Sequence, residues 1–561
     1  MSECYDLLIK ATTIVDGSGR PAFKGCVGVK GGKIAAVGDL RGDGERVIDG
    51  SGLVTCPGFV DLHSHSDFTI LINPRAESKI HQGVTTEVTG NCGSTAAPLL
   101  DDHRSELLDY LSTTLGIGGS ESLSWDWTFF GEYLDHLRRH PLGVNLAPLV
   151  GHATLRIAVM GVADRPPTEE EMTAMEDLLD RCLREGAFGM STGLEYPPDA
   201  YSTTEELVCL GRVLARHKAL YATHIRGEAQ TLFESIAEAV HTGEASGCQL
   251  EISHLKAGGV GNWGKATQLL SYLDAARERG VEVAWDQYPY TAWGSGLIDY
   301  VPHWVAADGR EMLVKRLRDA STRQTIREEI EQKVQKGCHP LCAAPWETVR
   351  IALVESPANI PLEGKSVADI AAEQRRSPYD VVFDLLADEK GAVKTLVFCI
   401  SEEDVKTIMQ HPVTAIVTDG RAVAPYGVLG RGKTHPRYYG TFPRVLGRYV
   451  REEKLLSLES AIHKMTLMPA SRIGLCDRGC IAPGMVADLV IFDPATIRDK
   501  ATFAAPHCYP KGIVKVIVAG QVVIDKGKHT GRLCGQVLER PRETPTRGSA
   551  GSTDRLQVRQ R

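Results

Sequence analysis

Apolar and polar positions divide the chain into stretches with different periods. At the start, YDLLIKATTIVDGSG (5–19), CVGVKGGKIAAVG (26–38) and ERVIDGSGLVTCPG (45–58) are short apolar runs cut by glycine, aspartate and proline. Runs of that length bounded by turn residues predict strands, and the Gly31-Gly32 pair predicts a hairpin. So few strands close no core of their own. The same pattern returns in IAPGMVADLVIFDP (481–494) and GIVKVIVAGQVVIDKG (512–527). This predicts a composite β domain built from both termini, residues 1–57 and 478–539, with the rest inserted into it.

Between these ends the pattern becomes apolar strand, polar loop, amphipathic helix, repeated. The strand candidates are VDLHSH, TTEVTGNC, VNLAPLVGH, AFGMSTG, LYATHIRGE, QLEISHLKAGG, VEVAWDQYPY and TAIVTDG, most of them separated by helical stretches such as TEEEMTAMEDLLDRCLREG and TTEELVCLGRVLARHK. Eight such repeats predict an α/β chain folded as a (β/α)8 barrel over residues 58–477, with chemistry at the C-terminal ends of its strands. One further apolar run, TLVFCIS (395–401), finds no place in the eightfold count. Residues 291–390 are too long for a strand-to-helix connection, and their charged middle, 311–337, has a helical pattern. They predict an insertion over the barrel mouth, as a lid or as part of the substrate pocket. From Arg540 onward the chain is rich in Arg, Ser, Thr, Gly and Pro and predicts a disordered tail.

Composition changes this picture little. The 561 residues carry 63 Lys and Arg against 71 Asp and Glu, a net charge of -8, which argues against a nucleic-acid or anionic-membrane surface. No run of about 18 apolar residues predicts a membrane span, and the N-terminus does not read as an export signal. The 14 cysteines have no paired spacing and predict free thiols in a reducing compartment, which makes the cytoplasm the expected location. GGKIAAVGDLRGDG is a hairpin and turn, since the strand, Gly-x-Gly-x-x-Gly and helix order of a phosphate loop is missing.

The candidate chemistry sits at strand ends. His63 and His65, two apart, point to one face. Cys92, His224, His254 and Asp419 each end another strand. Taken singly, each has an ordinary reading as a buried thiol, a satisfied core histidine or a structural acid. Together they are thiolate, imidazole and carboxylate donors of the kind zinc takes. Six donors exceed one catalytic zinc, so two metals bridged by the Cys92 thiolate are expected, with His63, His65 and Asp419 on one side and His224 and His254 on the other. Such a site makes hydroxide available near neutrality, with Asp419 placed to take a proton and return it to a leaving amine. His152 in GHATLR also ends a strand and reads equally as a substrate contact or a supporting residue.

PGFVDLHSHSD, QGVTTEVTGNCG, GHATLR, THIRGE, EISHLKAGG, DQYPYTA, THPRYYGTFPRVLGRYVREE and IAPGMVADLVIFDP resemble the N-acyl-D-amino-acid deacylases, the D-aminoacylases of the amidohydrolase superfamily. The likeness runs from about Tyr5 to about Gly531. It implies a zinc-dependent hydrolase of N-acyl-D-amino acids, on a metal-dependent barrel with a composite β domain. It implies a tightly held Zn2+ on Cys92, His224 and His254, a weaker second position at His63, His65, Cys92 and Asp419, and Asp419 as general acid/base. It further implies that Lys256 holds substrate and that Arg437 binds the substrate carboxylate, with Tyr288 as a further contact. Without the resemblance, Lys256 and Arg437 read as ordinary ion-pair residues and Tyr288 as a core aromatic. Preference for D over L rests on the resemblance alone. The loop 421–434 departs from the family pattern in length, and Arg421, Arg431 and Lys433 are candidate cations for an acidic substrate side chain. The rival readings are a cyclic amidase of the dihydroorotase or hydantoinase kind, which normally carries lysine at the bridging position, and a scaffold protein that has lost ligands. A small-molecule substrate is the expected partner, and oligomeric state is not encoded.

Overall fold

The computed structural model describes residues 4–115, 123–306 and 309–540. The tail expected from Arg540 onward thus lies, Arg540 apart, outside the described residues. Strands from the two ends of the chain share one nine-stranded sheet. The junction is antiparallel pairing of Val54–Pro57 with Leu489–Phe492. Each half of this sheet needs the other: Leu7, Ile9, Val27 and Ile34 pack against Leu489, Ile491, Ile517 and Val522 in one buried cluster. The last strand of the sheet is Lys528–His529, and the chain then pairs with the barrel through bridges of Gly535 to Leu142 and Val537 to Leu146.

The barrel strands are parallel. Phe59–Asp61 pairs with Val84–Glu87, which pairs with Asn145–Leu146. A second series runs Val150–Gly151, Gly189–Gly193, Leu220–His224, Gln249–Ile252, Val283–Gln287 and Thr414–Ile416. The third segment, VNLAPLVGH, is therefore two short strands rather than one. Pro148 has no N–H to give to a ladder and breaks it, although its carbonyl still accepts from Phe188 N at 2.9 Å. With that break counted inside strand three, eight strands surround the axis. The amphipathic stretches form the outer helices. Glu169–Glu185 begins at Thr168, whose hydroxyl accepts from Glu171 N while the Glu171 side chain returns to the Thr168 N–H, and it buries Met175, Leu178, Leu179, Cys182 and Leu183.

Closure between the first and eighth strands is made largely by side chains. The backbone supplies a parallel bridge of Ser64 to Gly420. Lys79, fully buried, donates to Asp61 Oδ2 at 2.7 Å, Ser64 Oγ at 3.0 Å and Thr418 Oγ1 at 2.7 Å, and lies 3.3 Å from Glu87 Oε2. Burial works against the ammonium, but Asp61 and Glu87 outweigh it and raise its pKa. One lysine thus ties strands one, two and eight beneath the residues that reach the mouth.

The unplaced run TLVFCIS belongs to the insertion, which consequently extends past 390. Lys394–Val397 is the middle strand of an antiparallel sheet between Trp293–Gly296 and Val349–Leu353. It is apolar because it faces a separate core that includes Leu317, Ile326, Ile330, Ile351, Phe383 and Val397. The charged middle forms two helices, Arg310–Arg318 and Ala320–Gln335, divided where the Asp319 carboxylate caps the second. The insertion braces the loops after strands five and six: Gln230 Nε2 donates to His339 O at 2.7 Å, and Trp263 Nε1 donates to Cys399 O at 3.1 Å. No helix among the described residues is long and apolar enough to cross a membrane.

Candidate active site

All six predicted donors meet at the C-terminal mouth. The Cys92 sulfur lies 3.4 Å from His63 Nε2, 3.8 Å from His224 Nδ1 and 3.6 Å from His254 Nε2. Asp419 Oδ1 lies 3.1 Å from His65 Nε2 and 3.7 Å from His63 Nε2. The donors form two overlapping groups, one of His63, Cys92 and His254 and one of His63, His65 and Asp419, each with its atoms within 4.8 Å of one another. His224 and His254 form a third such group with Glu228.

The backbone that presents them is strained. Cys92, His254 and Asp419 have φ of 51°, 38° and 44°, the left-handed region that non-glycine residues enter at a cost of about 1–3 kcal/mol each. Each follows its strand by a few residues, and the turn aims the side chain back over the barrel axis. Beside Cys92, Gly93 has no substitute, since a Cβ there would lie 2.2 Å from Asp199 Oδ2 and 2.8 Å from Gly193 N. Asp199 is in turn held by His152, 2.8 Å from Nδ1, while His152 Nε2 lies 2.8 Å from Glu206 Oε1. Burial disfavours the His152 cation, yet the two carboxylates prevail and raise its pKa to about 9. His152 therefore supports the Cys92 turn from behind, its Nε2 hydrogen-bonded to Glu206 and its Nδ1 held near Asp199 by charge.

Each histidine around Cys92 has a carboxylate at its other nitrogen. His254 Nδ1 is 2.9 Å from Glu228 Oε1, His224 Nε2 is 3.1 Å from Glu195 Oε2, and His63 Nδ1 is 3.5 Å from Asp286 Oδ2. Asp286 also accepts the His254 backbone N–H at 2.6 Å. The sequence reading had not singled out Glu195, Glu228 or Asp286. For Glu228 a signal was present, because it lies four residues past His224 in THIRGE, whereas Glu195 and Asp286 belong to strand-end segments that hold none of the six donors. Carboxylates behind imidazoles fix ring orientation and raise basicity, an arrangement typical of metal-binding histidines.

Electrostatics follow from this packing. Burial opposes ionisation of the Cys92 thiol, but His63 and His65, with bonds from His224 and His254, bring its pKa well below that of a free thiol. Burial likewise opposes the His224 cation, and Glu228, Cys92 and Glu195 overcome it, raising the pKa to about 10. Thiolate and carboxylates together demand positive charge at the centre of the cluster. Protons on the imidazoles meet that demand, and a divalent cation would meet it while sharing the same lone pairs, so the donor set fits zinc.

The three predicted substrate residues lie alongside. The Arg437 guanidinium stacks 4.4 Å from the Tyr288 ring centroid, and Lys256 Nζ lies 5.7 Å from the same ring. Arg437 Nη1 is 2.9 Å from Asp419 Oδ2 but off the hydrogen-bonding axis. Arg437 Nε and Nη1 and the Tyr288 hydroxyl are buried with no hydrogen-bond partner among the described residues. Lys256 is buried too, and its ammonium contacts Glu228 closely, besides lying 2.9 Å from His254 Nδ1. Of the candidate cations in the 421–434 loop, Arg431 pairs with Glu355 Oε2 at 2.7 Å and Lys433 donates to Ala504 O at 3.1 Å. Both are thus drawn toward the periphery. Arg421, two residues past Asp419, instead acts on the insertion's Lys394: burial first, and then the Arg421 charge, lower that pKa to about 8.

Known proteins resemble this chain over nearly its whole length. Residues 46–524 match the model of the amidohydrolase family. A D-aminoacylase of Alcaligenes xylosoxydans xylosoxydans is 38% identical over 540 residues, covering 96% of this chain and 98% of the relative. A solved D-aminoacylase, described for its binuclear metal centre with one-metal activation and second-metal attenuation, superposes with a TM-score of 0.77 at 35% identity, covering 96% of this chain and all of the other. The N-acyl-D-glutamate deacylase of Bordetella bronchiseptica, solved with zinc and a phosphonate mimic of the tetrahedral intermediate, gives a TM-score of 0.78 at 33% identity over the same shares. With its strand-end donors, its barrel and these full-length likenesses, the chain belongs to the amidohydrolase family, in the group of the D-aminoacylases.

Proposed function

We propose that the protein hydrolyses the amide of N-acyl-D-amino acids, releasing a carboxylate and a D-amino acid. The observation that carries this reading is a set of buried donors without hydrogen-bond partners among the described residues, Arg437 Nε and Nη1 and the Tyr288 hydroxyl, set beside the Cys92 cluster. A buried guanidinium nitrogen without an acceptor is costly, and a planar carboxylate matches its fork. An amino acid held there by its carboxylate carries its N-acyl group toward Asp419 and the histidines.

Cys92, His224 and His254 would hold one zinc tightly, and His63, His65 and Asp419 would hold a second, weaker one, sharing Cys92. When bound, zinc supplies Lewis acidity, polarising an acyl oxygen and bringing the pKa of water toward neutrality. The chain's own groups do the rest. Arg437 and Tyr288 orient the substrate carboxylate, and Lys256 contributes positive charge beside them. Asp419 keeps Oδ2 against Arg437 and has Oδ1 turned to the histidines, so Oδ1 takes the proton of the attacking water. The water oxygen bonds to the acyl carbon, the carbon-nitrogen bond breaks, and Oδ1 returns the proton to the departing nitrogen.

Preference for the D series is supported by the relatives, which are D-aminoacylase and N-acyl-D-glutamate deacylase. A cyclic amidase fits less well, because Cys92 stands at the bridging position and Arg437 suits an open carboxylate. We place the enzyme in the cytoplasm, since Cys92 must remain a thiolate to serve and a reducing compartment protects it. The test is amine release by zinc-supplied protein from N-acetyl-D-Met, D-Leu, D-Glu and D-Asp and their L partners. D-selective release is expected. Equal cleavage of the L series, or turnover of hydantoins alone, would reject the reading.

A further inference from the structure

The histidine of the HPR motif, His435, joins a barrel loop, the insertion and the β domain, and the reaction uses none of its atoms. Its ring is buried, with Nε2 2.9 Å from Ala292 O and Nδ1 accepting the Arg437 backbone N–H at 3.0 Å. These partners assign the tautomer, because a carbonyl only accepts and a backbone N–H only donates: the proton sits on Nε2, and Nδ1 presents its lone pair. Burial, joined by the Arg437 and Arg444 charges, outweighs the Ala292 carbonyl and Asp419 and holds the ring well below the usual histidine range, so this neutral form persists. Ala292 stands where the insertion leaves the strand-seven loop, one residue before Trp293–Gly296. The returning chain lies beside it, with Ile400 N donating to Thr291 O at 3.2 Å. Phe503, from the segment after strand Leu489–Phe492 of the β domain, packs on the ring as well, 5.0 Å from His435 and 4.7 Å from Phe398 of the insertion.

Arg437 opens the helix Arg437–Arg444, and the first N–H groups of a helix have no partner within it. The N-cap, Pro436, has no side chain that accepts a hydrogen bond. His435 supplies two acceptors in its stead, the ring for the Arg437 N–H and the backbone carbonyl for the Tyr438 N–H at 3.1 Å. We propose that His435 is the positioning residue for Arg437: its Nδ1 caps the first turn of the helix, and its Nε2–H pins that cap to the neck of the insertion, so that the guanidinium is held on Tyr288 for the substrate carboxylate. The inference rests on the reading that Arg437 binds that carboxylate. Tyr288 and Tyr290 meet the imidazole edge-on at 6.0 and 5.2 Å. One side chain thus orders the aromatic ring on which Arg437 stacks as well as the backbone that carries Arg437. The carboxylate clamp is thereby tied to the insertion over the mouth.

The test is a cycle of His435→Gln and Arg437→Met, read as kcat and KM for N-acetyl-D-methionine in zinc-supplied protein, with zinc content and far-UV circular dichroism as checks. The amide of His435→Gln keeps a donor for Ala292 O but leaves the Arg437 N–H without its acceptor. It should lower kcat/KM by about 10-fold, the worth of one buried hydrogen bond, chiefly through KM and with zinc retained. In the Arg437→Met background the same change should cost less than about twofold, because what His435 positions is already gone. A purely structural histidine predicts instead that the two losses multiply. His435→Asn, whose Oδ1 stands near the place of Nδ1 and keeps the cap while losing Ala292, should lose only about threefold. If His435→Gln does not fold, His435→Asn is carried through the cycle in its place, with its smaller loss again absent beside Arg437→Met. The proposal is overturned if His435→Gln leaves kcat/KM at the wild-type value, if it releases zinc, if its loss persists in full in the Arg437→Met background, or if His435→Asn loses as much as His435→Gln. An Arg437→Met protein with unchanged KM would remove the reading beneath it as well, and that result is distinct because it is seen with His435 intact.

Discussion

The two halves of the donor cluster share Cys92 but are built differently. On one side, His224 and His254 each have a carboxylate at about 3 Å behind the ring, Glu195 and Glu228. On the other, His63 stands 3.5 Å from Asp286, and the carboxylate touching His65, Asp419, lies on the side facing the cluster and is shared with Arg437. The side chain of His65 is 24% exposed, whereas those of His224 and His254 are buried. A donor set whose rings are already oriented loses less entropy on binding and presents more basic nitrogens. On the proposed reading, the comparison makes the first half the firm metal site. The second half would then serve the reaction, because its carboxylate faces the cluster on one side and Arg437 on the other.

The largest expected effect comes from the shared residue. Cys92→Ala should abolish zinc retention in both halves and reduce deacylation to below about one-thousandth, measured by metal content and amine release on the same samples. Full turnover in a zinc-free Cys92→Ala protein would break the comparison at its root. Next, Arg437→Met should lower kcat/KM by about 10–100-fold, the value of one or two charge-assisted hydrogen bonds, while leaving the firm zinc in place. A loss of zinc in that variant would mean that Arg437 shapes the metal site rather than the substrate. Smaller still, His65→Ala should lose only the second metal and keep activity within about tenfold, since one firm site remains. Loss of both metals there would make the two halves equal. Arg431→Ala should sit at the end of the scale: its pair with Glu355 is exposed and worth about 0–1 kcal/mol, so side-chain preference and thermal midpoint should both stay close to wild type.

This ordering also separates what could be read from the sequence from what could not. The donors were legible because apolar strands followed by polar loops place a residue such as His224 or Asp419 at a mouth whatever the distant partners are. The supporting acids were harder to see: Glu228 lies four residues past His224, and only the folded loop brings it to His254 on the next strand. Lys79 was unreadable in principle, since nothing in RAESKIHQG shows that its ammonium meets Asp61, Ser64 and Thr418 across the closing seam. Strand three was read as continuous because a single proline changes hydrogen bonding while barely altering the apolar pattern. TLVFCIS had the right pattern for a strand, and its place was hidden because periodicity does not say which of two cores a strand faces.

The most direct test of unequal halves is a titration. Metal-free protein would receive zinc in sub-stoichiometric steps, with bound zinc and hydrolysis of N-acetyl-D-methionine followed at each step. The account predicts that activity rises in proportion to the first equivalent and is essentially complete at one zinc per chain, with the second equivalent bound more weakly. Activity that stays near zero until two equivalents are bound would contradict it, because the firm half would then be insufficient and the two halves would form a single functional unit.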